Sequence, residues 1–127
     1  MKPVDQTVFT VPGGNCFSAC VASLLHLSID EVPYFMGDEP PDKPNMWFRR
    51  FLDWLKPKGL WAVTIELGNG WVPFGECILS GKSPRGDFLH SVVADGLTII
   101  HDPHPSRAGI LTREDVVVLI PRIIYRL

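Results

Sequence analysis

The stretch Gly13-Gly14-Asn15-Cys16-Phe17-Ser18-Ala19-Cys20 places a glycine-rich turn directly before an apolar run with a cysteine at its start. The pattern predicts a helix from Cys16 to about Leu27, buried along most of its surface and capped by Asn15. The first turn of a helix has unpaired N–H groups and the positive end of the helix dipole, and both favour an ionised thiol. Cys16 is therefore the candidate nucleophile.

A second stretch, from His90 to Pro103, offers the base and the orienting group that such a thiol needs. Its Asp95-Gly96 pair predicts a hairpin that joins strands His90 to Asp95 and Leu97 to Asp102. Pairing outward from that turn places His90 opposite about His101, with Asp102 one residue further on at the same open end. The face on which each side chain lies stays open, because a slip of one residue reverses it.

The other periodicities divide the chain into a helical first half and an extended second half. A capping box at Ser28 to Glu31 predicts a short helical turn, and Asn45 is suited to cap a second amphipathic helix that stops at Pro57 and Gly59. Further strands are predicted at Leu60 to Leu67, Glu76 to Ser80 and Val116 to Tyr125, with one helical turn at Thr112 to Asp115. The expected fold class is α+β, in a single domain of residues 1–127 with N-terminal helices packed on a C-terminal antiparallel sheet.

Composition excludes several classes of function. The chain has 127 residues, 46% of them hydrophobic and 20% charged, which is ordinary for a globular protein that buries its own core. A net charge of −2 argues against a nucleic-acid partner. No apolar run approaches the roughly 20 residues of a membrane helix, and the chain does not begin with a secretory signal, so we expect a cytoplasmic protein without a membrane partner.

The three cysteines are an odd number, which argues against a disulfide framework and for thiols that are buried or reactive. Cys20 and Cys77 lie in apolar segments and are expected to be inert core residues. Cys16 differs from them because it directly follows the Gly-Gly-Asn turn.

These residues resemble the papain-like cysteine peptidases, most closely the bacteriocin-processing type that cleaves double-glycine leaders. The likeness lies in a cysteine that opens a buried helix with a second cysteine four residues on, then a histidine beginning a strand, as in His90-Ser-Val-Val, and an aspartate-proline pair ending the next strand. The resemblance implies a papain-like fold and a bacterial or phage protein. It also implies Cys16 as nucleophile, His90 as general base and acid, and Asp102 as the residue that fixes the imidazole tautomer.

The same resemblance indicates where the oxyanion would be bound. In that family a glutamine shortly before the cysteine lines the oxyanion hole, and the upstream glutamine here, Gln6, lies ten residues before Cys16. A longer turn at Pro12-Gly13-Gly14 can absorb the difference, so Gln6 and the backbone N–H of Cys16 are the expected donors. Asn15 beside the nucleophile, Arg85 in the loop before His90 and His104 at the rim are the candidate substrate-binding residues.

Several functions stay open at this level. The leading hypothesis is a cysteine-dependent hydrolase of a peptide, isopeptide or other amide bond, with a peptide or protein substrate and neither a metal nor another cofactor. An acyl transferase or a glutamine deamidase would use the same three residues, and a binding protein of the same fold would hold them out of alignment. A zinc site formed by His101, His104, Cys16 and Cys20 is a further alternative, although the usual ligand spacings are absent. The oligomeric state and a protein partner at the cleft are also left open.

Overall fold

The computed structural model describes residues 1–37, 39, 41–68 and 70–123. Within these ranges the chain forms two α-helices, α1 (Cys16–Leu25) and α2 (Met46–Leu55), and five strands. The strands are β1 (Leu60–Glu66), β2 (Glu76–Lys82), β3 (Leu89–Asp95), β4 (Thr98–His101) and β5 (Asp115–Pro121). Single turns of 3-10 helix lie at Ile29–Glu31 and Lys56–Lys58. The predicted α+β class is confirmed, as two helices packed on one antiparallel sheet.

The strand order in the sheet is β1-β5-β2-β3-β4, and every neighbouring pair is antiparallel. The last strand of the chain therefore lies between the first two. Side chains alternate between the faces of the sheet. One face, with Ile78, Val93 and Val117, belongs to the core that includes α1 and α2, whereas Leu79 and Val92 belong to a second, smaller apolar cluster.

Aromatic side chains join α2 to α1. Phe51 is fully buried, and its ring centroid lies 5.1 Å from that of Phe17 and 5.0 Å from that of Phe35, both in edge-to-face geometry. Trp54 stacks on the other side of Phe51 with centroids 6.5 Å apart. Because Phe17 follows Cys16 directly, this cluster fixes the helix that carries the candidate nucleophile.

The three predicted side-chain caps are wrong. Neither Asn15, Ser28 nor Asn45 caps its own helix with its side chain. Glu39 caps α2 instead, because its carboxylate accepts hydrogen bonds from the N–H groups of Met46 at 2.7 Å and Trp47 at 2.8 Å. A carboxylate at a helix N-terminus satisfies the same N–H groups and also complements the dipole. In addition, α1 ends two residues earlier than expected, with His26 in the left-handed conformation at φ 58°.

The predicted hairpin is confirmed, but its predicted register is wrong. The two turn residues are Gly96 and Leu97 rather than Asp95 and Gly96, so that Asp95 pairs with Thr98. A bulge follows, and His101 pairs with Val93 instead of His90. The extra residue of a bulge shifts the side chains beyond it to the other face.

The predicted helical turn at Thr112 to Asp115 is also wrong. This segment runs beside β2, where the N–H of Leu111 donates to the Lys82 carbonyl at 2.8 Å and that of Glu114 donates to the Ser80 carbonyl at 2.9 Å. The backbone groups that a helical turn would use are thus taken by the neighbouring strand. β5 begins at Asp115 and ends at Pro121, and Tyr125, the predicted end of the strand, lies outside the described residues.

Candidate active site

The structure brings Cys16, His90 and Asp102 together, at the start of α1, on β3 and just after β4. His90 Nε2 lies 2.7 Å from Asp102 Oδ1, and both side chains are almost fully buried. The His90 ring also interacts with the Cys16 thiol, and the interaction favours the charged form of each group. Because Asp102 occupies Nε2, the nitrogen left for the thiol is Nδ1. The arrangement is a thiol, an imidazole and a carboxylate in series.

Asp102 is held in place by backbone groups of its own loop. Its Oδ1 also accepts a hydrogen bond from the N–H of His104 at 2.9 Å, and its Oδ2 accepts one from the N–H of Gly109 at 2.7 Å. Arg107 donates to the Asp102 carbonyl at 2.6 Å and forms a bidentate pair with Asp5, with N···O distances of 2.6 and 2.8 Å. The carboxylate therefore has its orientation fixed before any substrate binds.

The electrostatics of the three groups favour an ion pair. Burial opposes ionisation of Cys16, but hydrogen bonding and charge from His90, with backbone groups of Ser91 and Phe17, outweigh it and lower the pKa of the thiol. Burial likewise acts against protonated His90, yet Asp102 and Cys16 together raise its pKa to about 9. The pKa of Asp102 falls to about 2 because the bonds from His90, His104 and Gly109 outweigh the cost of burial. The lowered pKa of Cys16 and the raised pKa of His90 both favour a thiolate–imidazolium pair beside the Asp102 carboxylate.

Asp102→Asn is expected to make the free energy of unfolding less dependent on pH in the acid range. The pKa of Asp102 is about 2 in the folded protein against an ordinary 3.8, so the stabilisation by its carboxylate is complete above pH 4 and lost as pH falls through 2. The wild-type free energy of unfolding should fall across that interval by about 2 kcal/mol more than that of the variant. Urea unfolding at a series of pH values measures this free energy for each protein. Asp87→Asn, at a side chain that is 96% exposed, should keep the wild-type slope, and equal slopes in all three proteins would contradict the pairing.

Gln6 lies in the same cleft as Cys16 and His90 despite its longer spacing in sequence. The intervening residues Phe9 to Gly14 form a loop that closes where the N–H of Asn15 donates to the Val8 carbonyl at 3.2 Å. Gln6 Nε2 donates to that same carbonyl at 3.0 Å, and Gln6 Oε1 is buried without a hydrogen-bond partner among the described residues. One N–H of the amide thus remains for a further acceptor.

Asn15 serves the framework of the site. Its Oδ1 accepts hydrogen bonds from the N–H groups of Thr7 and Val8, each at 2.9 Å, and its Nδ2 donates to Thr7 Oγ1 at 3.0 Å. These bonds fasten the segment that carries Gln6 to the start of α1. The role that the structure gives Asn15 is therefore positional, and Asn15 does not line the cleft.

Arg85 and His104 both line the cleft and share one partner. Arg85 Nη1 donates to Ser106 Oγ at 3.1 Å, and His104 Nδ1 lies 2.8 Å from the same oxygen. The His104 ring meets the edge of the Phe9 ring at a centroid distance of 5.4 Å and that of His90 at 6.2 Å. Burial, together with Arg85 and His90, lowers the pKa of His104, so this end of the cleft carries the Arg85 charge beside an imidazole whose neutral form is favoured.

The cleft has a volume of about 650 Å³ and mostly apolar walls. Phe17, Met36 and Trp47 from the helical half face Val117 and Phe88 from the sheet half. Such a volume is typical of a pocket that encloses part of a ligand, with a few polar groups that fix its orientation. Cys16 and His90 are those polar groups at one point of the wall.

The remaining cysteines and histidines are placed away from this chemistry. Cys20 and Cys77 are buried, as expected. Burial is the largest cause of both pKa shifts: it raises the pKa of Cys20 well above its ordinary value and that of Cys77 to about 11. His101 Nε2 lies 2.9 Å from the Val4 carbonyl and 3.2 Å from Asp5 Oδ1. Within the described ranges no three histidine, cysteine, aspartate or glutamate side chains cluster so as to hold a metal ion, so the structure does not bring His101, His104, Cys16 and Cys20 together as one set of ligands.

Two residues near the site are missed by sequence reasoning. Arg107, which ties the Asp102 loop to Asp5, stands in a loop without a motif, and its left-handed backbone at φ 53° has no sequence signature. Asp115 lines the cleft from the start of β5. A lone aspartate before an apolar strand gives no signal of its own, and only the strand order places it there.

Comparison with protein-family models, with curated proteins and with solved structures finds no match to this chain. Among the residues that the structure describes, no helix has both the length and the apolar character needed to cross a membrane. Any assignment of function rests on the geometry of the site.

Proposed function

We propose that this protein is a cysteine-dependent hydrolase of papain-like fold that cleaves a peptide, isopeptide or other amide bond in a peptide or protein substrate. The observation that carries the proposal is the buried pair of His90 and Asp102, 2.7 Å apart, in which His90 interacts with Cys16 at a helix N-terminus on the wall of a cleft. An inert core cysteine needs none of these partners. We further propose a cytoplasmic location.

The proposed reaction proceeds in two stages. The Cys16 thiolate attacks the carbonyl carbon of the scissile bond, a C–S bond forms, and the oxyanion meets the Cys16 N–H and Gln6 Nε2. Protonated His90 gives its proton to the leaving amine as the C–N bond breaks. Water then attacks the thioester while neutral His90 takes its proton, and the C–S bond breaks to release the acid. Asp102 keeps the imidazole in the orientation that both stages need.

A pH profile follows from these roles. The kcat/KM should rise as Cys16 ionises below the ordinary thiol pKa of 9.0, and should fall as His90 loses its proton near pH 9. The expected curve is a bell whose alkaline limb lies near pH 9 and whose acid limb lies at lower pH. A rate that climbs steadily to pH 10, as for a simple thiol, would rule out His90 as the acid.

The first test needs no substrate. Labelling with iodoacetamide across pH 5–10, with the modified residue located by mass spectrometry, should modify Cys16 alone, with a midpoint below pH 9. Cys20 and Cys77 are the internal controls, because both are buried and their pKa values are raised. Labelling of Cys16 no faster than that of a free thiol, at every pH, would overturn the proposal in favour of a binding protein.

The second test separates the reactions that share this mechanism. The wild-type protein and Cys16→Ala are incubated with a proteome-derived peptide mixture in 18O-labelled water. Hydrolysis puts one 18O into each new carboxyl terminus, deamidation converts glutamine to labelled glutamate without cleavage, and acyl transfer joins the acyl group to an added amine without 18O. Products of the first kind, absent with Cys16→Ala, are expected; products of the second or third kind would replace hydrolase by deamidase or transferase.

Gln6→Ala is expected to lower kcat by roughly 10²-fold, since one oxyanion donor typically contributes that much. The rate of Cys16 alkylation should stay within a factor of two or so, because Gln6 does not contribute to the lowered pKa of the thiol. The split between the two rates is the diagnostic measurement, on any peptide found to be cleaved. An equal loss in both rates would mean that Gln6 supports the fold around Cys16 rather than the transition state.

A further inference from the structure

The floor of the cleft contains a row of residues that lie directly opposite one another in neighbouring strands. Asp115 on β5 pairs with Ser80 on β2, and Ser80 pairs with Ser91 on β3. Directly opposed residues of an antiparallel sheet share a face, and the Oγ atoms of the two serines are 2.8 Å apart. The backbone of Ser91 is also one of the groups that lower the pKa of the Cys16 thiol. These three residues, Ser91, Ser80 and Asp115, form what we call the serine-aspartate row. It begins beside the nucleophile at Ser91 and ends at the Asp115 carboxylate, two strands or about 10 Å from Ser91.

The carboxylate of Asp115 has no cationic partner and no hydrogen bond within the part of the chain that the structure describes. It is half-buried, and the residue opposite it on β1 is Glu66, a second carboxylate on the same face. Burial, followed by the charges of Glu114 and Glu66, raises the pKa of Asp115. Like charges that are directly opposed destabilise a sheet, and a bound cation would relieve that repulsion.

Apart from the two serines of this row, the lining of the cleft is mostly apolar. Phe17, Met36, Trp47 and Val117 line it, and the other fixed charge of the cleft, Arg85, is tied through Ser106 to the His104 end. A long aliphatic stem that ends in a positive charge matches this arrangement, since such side chains bury the stem and direct the head to a polar group. Trp47 adds an aromatic wall that attracts cations.

We propose that the cleft binds a lysine or arginine side chain of the substrate, with its stem along the apolar wall and its cationic head at Asp115. The inference rests on the proposed function only in placing the scissile bond at Cys16. Asp115 is thus a specificity-determining residue, and substrates are peptides with a basic residue close to the bond that is cleaved. An acidic or neutral side chain of the same length leaves the half-buried carboxylate of Asp115 unpaired.

The test measures binding without catalysis. Cys16→Ala protein is titrated by NMR with the tripeptide acetyl-Ala-Phe-Lys-amide and with its norleucine counterpart, which has the same stem without the ammonium group. The lysine peptide should bind about tenfold more tightly, as expected for one charge-assisted contact. Adding Asp115→Asn should remove the difference. Adding Glu114→Gln, a neighbouring exposed carboxylate bonded to Thr112, is the matched control and should preserve it.

Equal affinity for the two peptides, or saturable binding of neither, would overturn the inference. Loss of the preference in Glu114→Gln would also overturn it, because a general charge effect would then explain the result. Iodoacetamide labelling of the wild-type protein is measured alongside. An unreactive Cys16 together with tight binding of the lysine peptide would remove the hydrolase and leave the basic-peptide site, so that the two failures are distinguishable.

Discussion

His90→Ala is expected to slow alkylation of Cys16 at pH 7 by at least about tenfold and to lower hydrolysis by roughly 10⁴-fold. The substitution removes the hydrogen bond and positive charge that lower the pKa of the thiol, whereas the burial that raises it remains. Alkylation should therefore shift to higher pH, with its midpoint above that of an ordinary thiol. Labelling reactions quenched at a series of times and analysed by mass spectrometry give the rate of Cys16 alkylation at each pH.

His26→Asn is the matched control for this substitution. His26 ends α1 in the left-handed conformation, which asparagine tolerates, and it lies at the other end of the helix from Cys16. Its alkylation profile should superimpose on that of the wild-type protein. A profile for His90→Ala that also superimposes on the wild type would show that the thiol and the imidazole are not coupled, and the catalytic hypothesis would then have to be abandoned.

Phe51→Ala is expected to lower the free energy of unfolding by about 3–5 kcal/mol, the usual cost of removing a fully buried ring. That is a large share of the roughly 5–15 kcal/mol by which a domain is stable. Phe51 contacts Phe17, Phe35 and Trp54, so the cavity would lie directly beneath the start of α1. We expect Cys16 alkylation to lose part of its pH shift as well, because Phe17 and Cys16 are adjacent.

Phe74→Ala provides the comparison, because the Phe74 side chain is 96% exposed. Its free energy of unfolding should remain within about 0.5 kcal/mol of the wild-type value. Urea unfolding, followed by tryptophan fluorescence, measures both variants. A loss below about 1 kcal/mol for Phe51→Ala would contradict the aromatic cluster as the link between the helices.

Local signals in the sequence predict the elements of the site well. The start of α1 at Cys16 follows from a turn and an apolar period that are both local, and the hairpin follows from Asp95-Gly96. His90 and Asp102 meet despite a wrong register, because the bulge shifts the residues beyond it by one position and so brings Asp102 to the face that carries His90. Short-range backbone preferences are therefore sufficient to predict the elements that lie next to a single turn.

Long-range partners explain the failures. Asn15 was expected to cap α1, but its side chain satisfies two N–H groups of the N-terminal segment instead. Glu39 replaces Asn45 as the cap of α2 from seven residues upstream of Met46. The insertion of β5 between β1 and β2, which puts Asp115 into the cleft, has no signature in sequence spacing. Which strands become neighbours depends on tertiary packing, and a single sequence does not encode it locally.

The position of β5 in the sheet also bears on how the protein is made. A ribosome completes Cys16, His90 and Asp102 before it releases Asp115–Pro121, yet β1 has no sheet partner other than β5 among the described strands. Until Asp115–Pro121 emerges, no strand joins β1 to β2, and the part of the apolar wall that Val117 forms is missing. Folding of the whole domain must then wait for pairings that span much of the chain. The nascent chain thus has no finished pocket around Cys16 until Asp115–Pro121 has left the ribosome.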